Sequence, residues 1–155
     1  MIGPEPAARA SLAAVIRHDL AAIERMEEAL PVLAPEAGYA ASAGVAYALH
    51  NIYCALENSF DQISRTFENH VVETDRWHRE LMLKMFLDIP GVRPQVLPDN
   101  VRLALNELRS FRHVFRHSYD FKLDAKKLNH LVDQWRLEGQ AVLEALSRFA
   151  AWLNA

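Results

Sequence analysis

The chain has 155 residues, 51% of them apolar, and a formal net charge of -3. That length and apolar share suit one domain, residues 1–155, with a sizeable core, rather than two domains or a disordered chain. The acidic balance argues against a general binder of polyanions, the single Cys54 excludes an internal disulfide, and no stretch is long and apolar enough to span a bilayer.

The opening MIGPEPAARASLAAVIRHDL has no basic leader, and Arg9, Arg17 and His18 interrupt its apolar run. A cytoplasmic location is therefore expected, with Cys54 a small buried side chain in a reducing compartment. A first helix, roughly 7 to 30, repeats Leu12, Val15, Ile16, Leu20, Ile23, Met26 and Leu30 and stops at Pro31 and Pro35. The second, roughly 39 to 68, has the strongest stripe, with Leu49, Ile52, Tyr53, Leu56, Phe60, Ile63 and Phe67 stepping by three and four. A short third helix, roughly 75 to 88, begins at a Thr74/Asp75 cap and carries Trp77, Leu81, Met82, Met85 and Phe86.

The proline- and glycine-bearing stretch from Pro90 to Pro98 then breaks the chain. A fourth helix runs from about 99 to 118. A fifth, about 124 to 153, follows the Asp124 cap and is striped by Leu128, Leu131, Val132, Trp135, Val142, Leu143, Leu146 and Phe149. No strand alternation, phosphate-binding glycine loop or fixed-period repeat competes. The predicted fold is all-α: an up-and-down helical bundle of four long helices plus one short one.

Charge is unevenly spread along this frame. Residues 1–92 carry 7 Lys+Arg against 13 Asp+Glu, whereas residues 93–136 carry 9 against 5. The second tract holds Arg112-His113-Val114-Phe115-Arg116-His117-Ser118-Tyr119, in which a guanidinium, an imidazole and a phenol close the fourth helix. Those groups suit phosphate chemistry: a fixed fork of donors, a base near neutrality and a hydroxyl. A solvated charged helix face is the competing reading of the same residues.

At about 100° per residue, Arg112 lies at the border of the core-facing stripe of Val101, Leu105, Leu108, Phe111 and Phe115, where a guanidinium needs a carboxylate or a phosphate. An ion pair with Glu57 of the second helix is one way to meet that need. Arg109 and Arg116 lie toward the same side. His117 is about 140° around the helix from Arg112, so either the helix end turns the imidazole inward or a second copy completes the site. Phe111, Val114 and Phe115 are the expected contacts near such an axis. His113 and His117 have the four-residue spacing of two metal ligands, but no further ligand pattern completes a centre, so no metal or cofactor is expected.

The Arg112, His117, Tyr119 pattern at the end of a bundle helix resembles the signature of the HEPN superfamily, in particular HepT-like ribonuclease toxins. The segments Leu49-His50-Asn51-Ile52-Tyr53-Cys54-Ala55-Leu56-Glu57-Asn58-Ser59-Phe60, Trp77-His78-Arg79-Glu80-Leu81 and Glu107-Leu108-Arg109-Ser110-Phe111-Arg112 also resemble such sequences, covering about 45 to 135. The resemblance implies a metal-independent endoribonuclease toxin, acting as a homodimer, with Arg112 and His117 as its catalytic pair. It implies further a toxin–antitoxin setting in which a minimal nucleotidyltransferase of the MNT type attaches AMP to Tyr119. RNA would be the substrate, with Arg109 and Arg116 on flanking phosphates and Glu57 and Asn51 orienting Arg112 from the second helix. A HEPN-like module that binds a nucleotide or protein without cleaving it is the alternative.

Overall fold

The structure, a computed structural model, describes residues 3–69, 77–117 and 122–155. Among these residues the chain is all-helical: α1 (Pro6–Glu27), α2 (Tyr39–Glu68), α3 (Trp77–Lys84), α4 (Arg102–His117) and α5 (Ala125–Leu153), with a single 3-10 turn at Asp99–Val101 ahead of α4. Helices α1, α2, α4 and α5 form a four-membered ring in which each packs on its sequence neighbour and α5 returns to α1. Arg9 meets Leu153 and Glu27 meets Trp135, so α1 and α5 run antiparallel; His50 meets Phe115 and Glu57 meets Arg112, so α2 and α4 do too, as an up-and-down bundle requires. Helix α3 lies across α2 and α4. No described helix is long and apolar enough to cross a membrane.

The apolar stripes account for this packing. Tyr53, Phe60, Leu49, Ile52, Leu56 and Ile63 of α2 are fully buried, as are Ile16 and Ile23 of α1 and Leu105 of α4. Burial of each large side chain contributes about 1.5 to 3 kcal/mol, and the stripe on α2 makes it the central element. Polar contacts then fix the ends. Arg9 donates from Nε to the Leu153 carbonyl (2.9 Å) and from Nη2 to that of Trp152 (3.0 Å), satisfying carbonyls at the end of α5. Asn129 exchanges two 2.9 Å bonds with the backbone of Leu33, pinning the α1–α2 connection to α5.

Helix ends differ from the periodic reading where backbone bonds tighten. After Glu27, Ala29 and Leu30 bond back three residues, closing α1 before Pro31. After Lys84, Met85, Phe86 and Leu87 do the same, so the expected third helix to 88 ends in turns; its Thr74/Asp75 cap lies outside the described residues. The stretch that follows is more than a breaker. Ile89 and Arg93 pair as a bridge around Gly91, which sits at φ 77, a conformation open to glycine. Arg93 is buried and reaches Glu68 Oε1 at 2.7 Å and the Lys84 and Leu87 carbonyls at 3.0 and 3.1 Å. This cation of the basic tract is spent on holding α2 to the loop.

On α5, Gly139 lies under the Trp135 ring, which donates from Nε1 to Glu27 Oε1 at 3.1 Å. A Cβ there would fall 2.6 Å from the ring. Gly139→Ala is therefore expected to lower stability by about 1 to 2 kcal/mol, despite the helix propensity it adds, because a ring buried and tethered to α1 cannot swing clear. Urea unfolding measures it, and an unchanged or raised midpoint would show that the ring moves freely.

Candidate functional site

The arginine of the motif is placed by the last buried turns of α4. Leu105, Leu108 and Phe111 face the core, and Arg112, next in sequence, is carried in with them to 7% exposure. Its Nη2 lies 3.6 Å from Glu57 Oε1, an ion pair longer than a hydrogen bond. Glu57 is itself buried, and its other oxygen accepts from His78 Nδ1 of α3 at 2.8 Å, with the His78 ring tilted against that of Trp77, their centroids 4.0 Å apart. One carboxylate thus serves a guanidinium and an imidazole, and the Arg112 Nε–H is buried with no hydrogen-bond partner among the described residues. Buried N–H groups are rarely left so, and the full cost of desolvation falls on this one.

The neighbouring groups have the same character. Arg109 donates from Nη2 to Asn106 Oδ1 at 3.0 Å, while its Nε is also buried and unmatched among the described residues. Tyr53, one turn before Glu57 on α2, is fully buried with its hydroxyl in the same condition. Burial, and then the Glu57 charge, push its phenol well above the ordinary range, so it stays neutral and remains a donor.

His117 has the opposite setting. It is exposed, its ring stacks on that of His113 at 4.5 Å, and Nδ1 lies 2.9 Å from the His113 carbonyl. A carbonyl only accepts, so Nδ1 carries the hydrogen and the neutral ring presents Nε2 as a base. The stacked rings, with one nitrogen given to the backbone, are not arranged as two ligands of one ion. Arg116 is exposed beside them. The Asn51 side chain, expected to orient Arg112 from α2, meets His50 Nδ1 at 3.1 Å. Phe111 is 3% exposed, so the expected contact with a second copy through its ring is corrected: it continues the core stripe of Leu105 and Leu108. Val114 and Phe115 remain half-buried at the surface. Tyr119 lies outside the described residues.

His50 is the residue that the spacing of the motif could not reveal. Its ring lies 5.2 Å from that of Phe115, and its Nε2 is 3.7 Å from Cys54 Sγ. Burial holds its pKa below the ordinary 6.5, the Asn51 bond opposes that, and the charges of Arg112 and Arg116 reinforce it. A histidine depressed on folding adds stability above its unfolded pKa and loses it as pH falls through the folded value. Unfolding by urea should accordingly become easier below about pH 6.5, and His50→Gln should flatten that slope. An unaltered slope would assign the loss to other groups.

The architecture and this site define a class: an up-and-down helical bundle with a buried arginine and an exposed histidine at the end of α4. The HepT-like protein family matches residues 44–153, more than half of the chain and everything from within α2 to the end of α5. The chain belongs to that family. No curated protein and no solved structure matches it.

Proposed function

We propose that this HepT-like protein is a metal-independent endoribonuclease toxin, cleaving RNA at a site shared between the two copies of a homodimer. One observation carries the reading. At the end of α4 a buried guanidinium keeps an N–H donor with no partner among the described residues, and an exposed imidazole five residues on is held by the His113 carbonyl in the tautomer that accepts a proton at Nε2.

In RNA the 2′-hydroxyl is an internal nucleophile, so a base and a cation beside the phosphorane supply what cleavage needs. His117 Nε2 takes the 2′-hydroxyl proton as that oxygen attacks phosphorus. Arg112 holds the charge that develops on the phosphorane, and the bond to the 5′-oxygen breaks, leaving a 2′,3′-cyclic phosphate and, once protonated, a 5′-hydroxyl. Arg109 and Arg116 bind flanking phosphates, while Glu57 and Asn51 orient Arg112 from α2. The buried and exposed settings of Arg112 and His117 on one helix support a second copy as the source of the missing partner. DNA, which lacks the nucleophile, is inert.

Control follows from the same charges. An MNT-type nucleotidyltransferase antitoxin transfers AMP from ATP to the Tyr119 hydroxyl, releasing pyrophosphate and the phenol proton, and the added phosphate occupies the arginines that RNA requires. Single-stranded RNA incubated with the protein in a chelator is expected to yield fragments ending in 2′,3′-cyclic phosphate, and co-expression with the partner to add AMP mass to the peptide containing Tyr119. Intact RNA under those conditions would remove the ribonuclease reading, and an unmodified Tyr119 in a neutralised complex would remove this mode of control.

A further inference from the structure

Between α3 and the first turns of α4 lies a groove of about 560 Å³, whose lining includes Arg79, Met82, Asn100, Arg102, Leu103 and Asn106. We propose that this groove is a nucleotide subsite, holding an unpaired base and its phosphate in the strand that flanks the cleaved bond. The proposal rests on the ribonuclease reading for the identity of the strand, and on the groove itself for the place.

The first observation is continuity. Arg102, Asn106, Arg109, His113 and Arg116 follow one another by four and three, within about 80° of one face of α4 and over about 21 Å of its length. The groove opens at one end of this stripe and the Arg/His motif at the other. Asn106 belongs to both, since it lines the groove and accepts from Arg109. A polyanion laid along the stripe meets a cation at each end and in the middle.

The second is chemistry suited to a base. The Arg102 guanidinium lies 4.5 Å over the Phe86 ring, and its side chain is 48% exposed, so it forms a flat charged platform set by the ring beneath it. Its ion pair with Asp99 (3.0 Å) is exposed on both sides and therefore weak enough to yield to a phosphate. Unstacked bases are bound on such guanidinium planes and read along their edges by amides. Asn100 and Asn106 supply the amides, while Met82 and Leu103, the latter exposed, supply apolar surface. Arg79, exposed on α3, faces the same groove as the phosphate-binding fork.

The test uses RNA methylated at every 2′-oxygen, which cannot be cleaved by internal attack, so binding is read whether or not the protein is a nuclease. Affinity is measured by fluorescence anisotropy for oligomers of roughly 4 and roughly 12 nucleotides, and the gain on lengthening is compared between proteins. In the unaltered protein the longer strand should bind about tenfold more tightly or better. In Arg79→Ala/Arg102→Ala that gain should shrink toward none, and the salt dependence of the longer strand should become shallower by about 1.4 in logarithmic slope, two phosphate contacts' worth. Leu103→Ser, exposed and so harmless to folding, should reduce the gain without changing the slope. Arg25→Ala on α1, which removes one positive charge outside the groove, should leave both alone. No gain on lengthening, or an equal loss in Arg25→Ala, overturns the subsite. So does a double variant that keeps the gain yet no longer binds the antitoxin, which would make the groove a protein contact. Failure of the ribonuclease reading shows separately, as uncleaved unmodified RNA alongside an intact lengthening gain.

Discussion

His117→Ala is expected to reduce cleavage of RNA by about 100- to 10,000-fold, the range over which a positioned general base contributes. The side chain is exposed and its one described polar contact is to the carbonyl of the preceding turn, so its removal leaves the bundle intact and unfolding within about 0.5 kcal/mol of the original. Arg112→Ala should lose a comparable factor, as loss of a preorganised cation does. It also leaves Glu57 buried with only His78 to answer it, so its rate must be read against the folded fraction by far-UV circular dichroism. Mixing the two inactive variants sharpens the test. If a site takes its arginine from one copy and its histidine from the other, half the dimers in an equal mixture are mixed and each has one whole site, so about a quarter of the activity returns. A mixture as inactive as its components would place both groups in a single chain. Undiminished cleavage in the separate variants would remove them from the chemistry.

Glu57→Leu is expected to cost about 3 to 5 kcal/mol of stability, the largest loss from any single polar substitution proposed for this fold. Glu57 and Arg112 are each 8% exposed at their side chains, so solvent screens the pair little, and the deletion strands a guanidinium whose Nε already has no acceptor among the described residues. His78 loses its acceptor in the same step. The double variant Glu57→Leu/Arg112→Met should recover much of the loss, because two apolar side chains of similar length replace the pair without leaving a charge behind. Urea unfolding of the single and double variants measures the coupling. Additive losses would show that the pair at 3.6 Å contributes nothing to one another's placement. Activity should separate from stability here: the stabilised double variant remains inactive toward RNA, since its cation is gone.

The apolar periodicity of α1, α2 and α5 carried its own interpretation, and the second helix was legible to both ends because a stripe of three and four spacings has only one buried arrangement on a helix. Asp124 was equally plain: its carboxylate accepts from the Lys126 amide at 3.0 Å, a bond local to the residues that make it. The motif on α4 could be recognised as a set of residue types, and the angle between Arg112 and His117 followed from the helical repeat. The tautomer of His117 also depends on a contact within one helix, but on which of two ring nitrogens turns to the backbone, and no spacing reports that.

What tertiary structure alone decided lies across long separations. Glu57 stands 21 residues before His78, and only the packing of α3 over α2 and α4 brings His78 to a carboxylate that Arg112 shares. His50 passed unremarked as a site residue because its surroundings, Phe115, Arg112 and Arg116, come from another helix. Arg93 looked like one more cation in a basic tract until the fold buried it against Glu68, and Arg136 likewise turns to the Leu30 carbonyl. Local pattern determines which face of each helix avoids water, since that depends on periodicity within the helix. Which charges remain for a ligand depends on the partners that packing assigns, and those are chosen by helices that meet far apart in the chain.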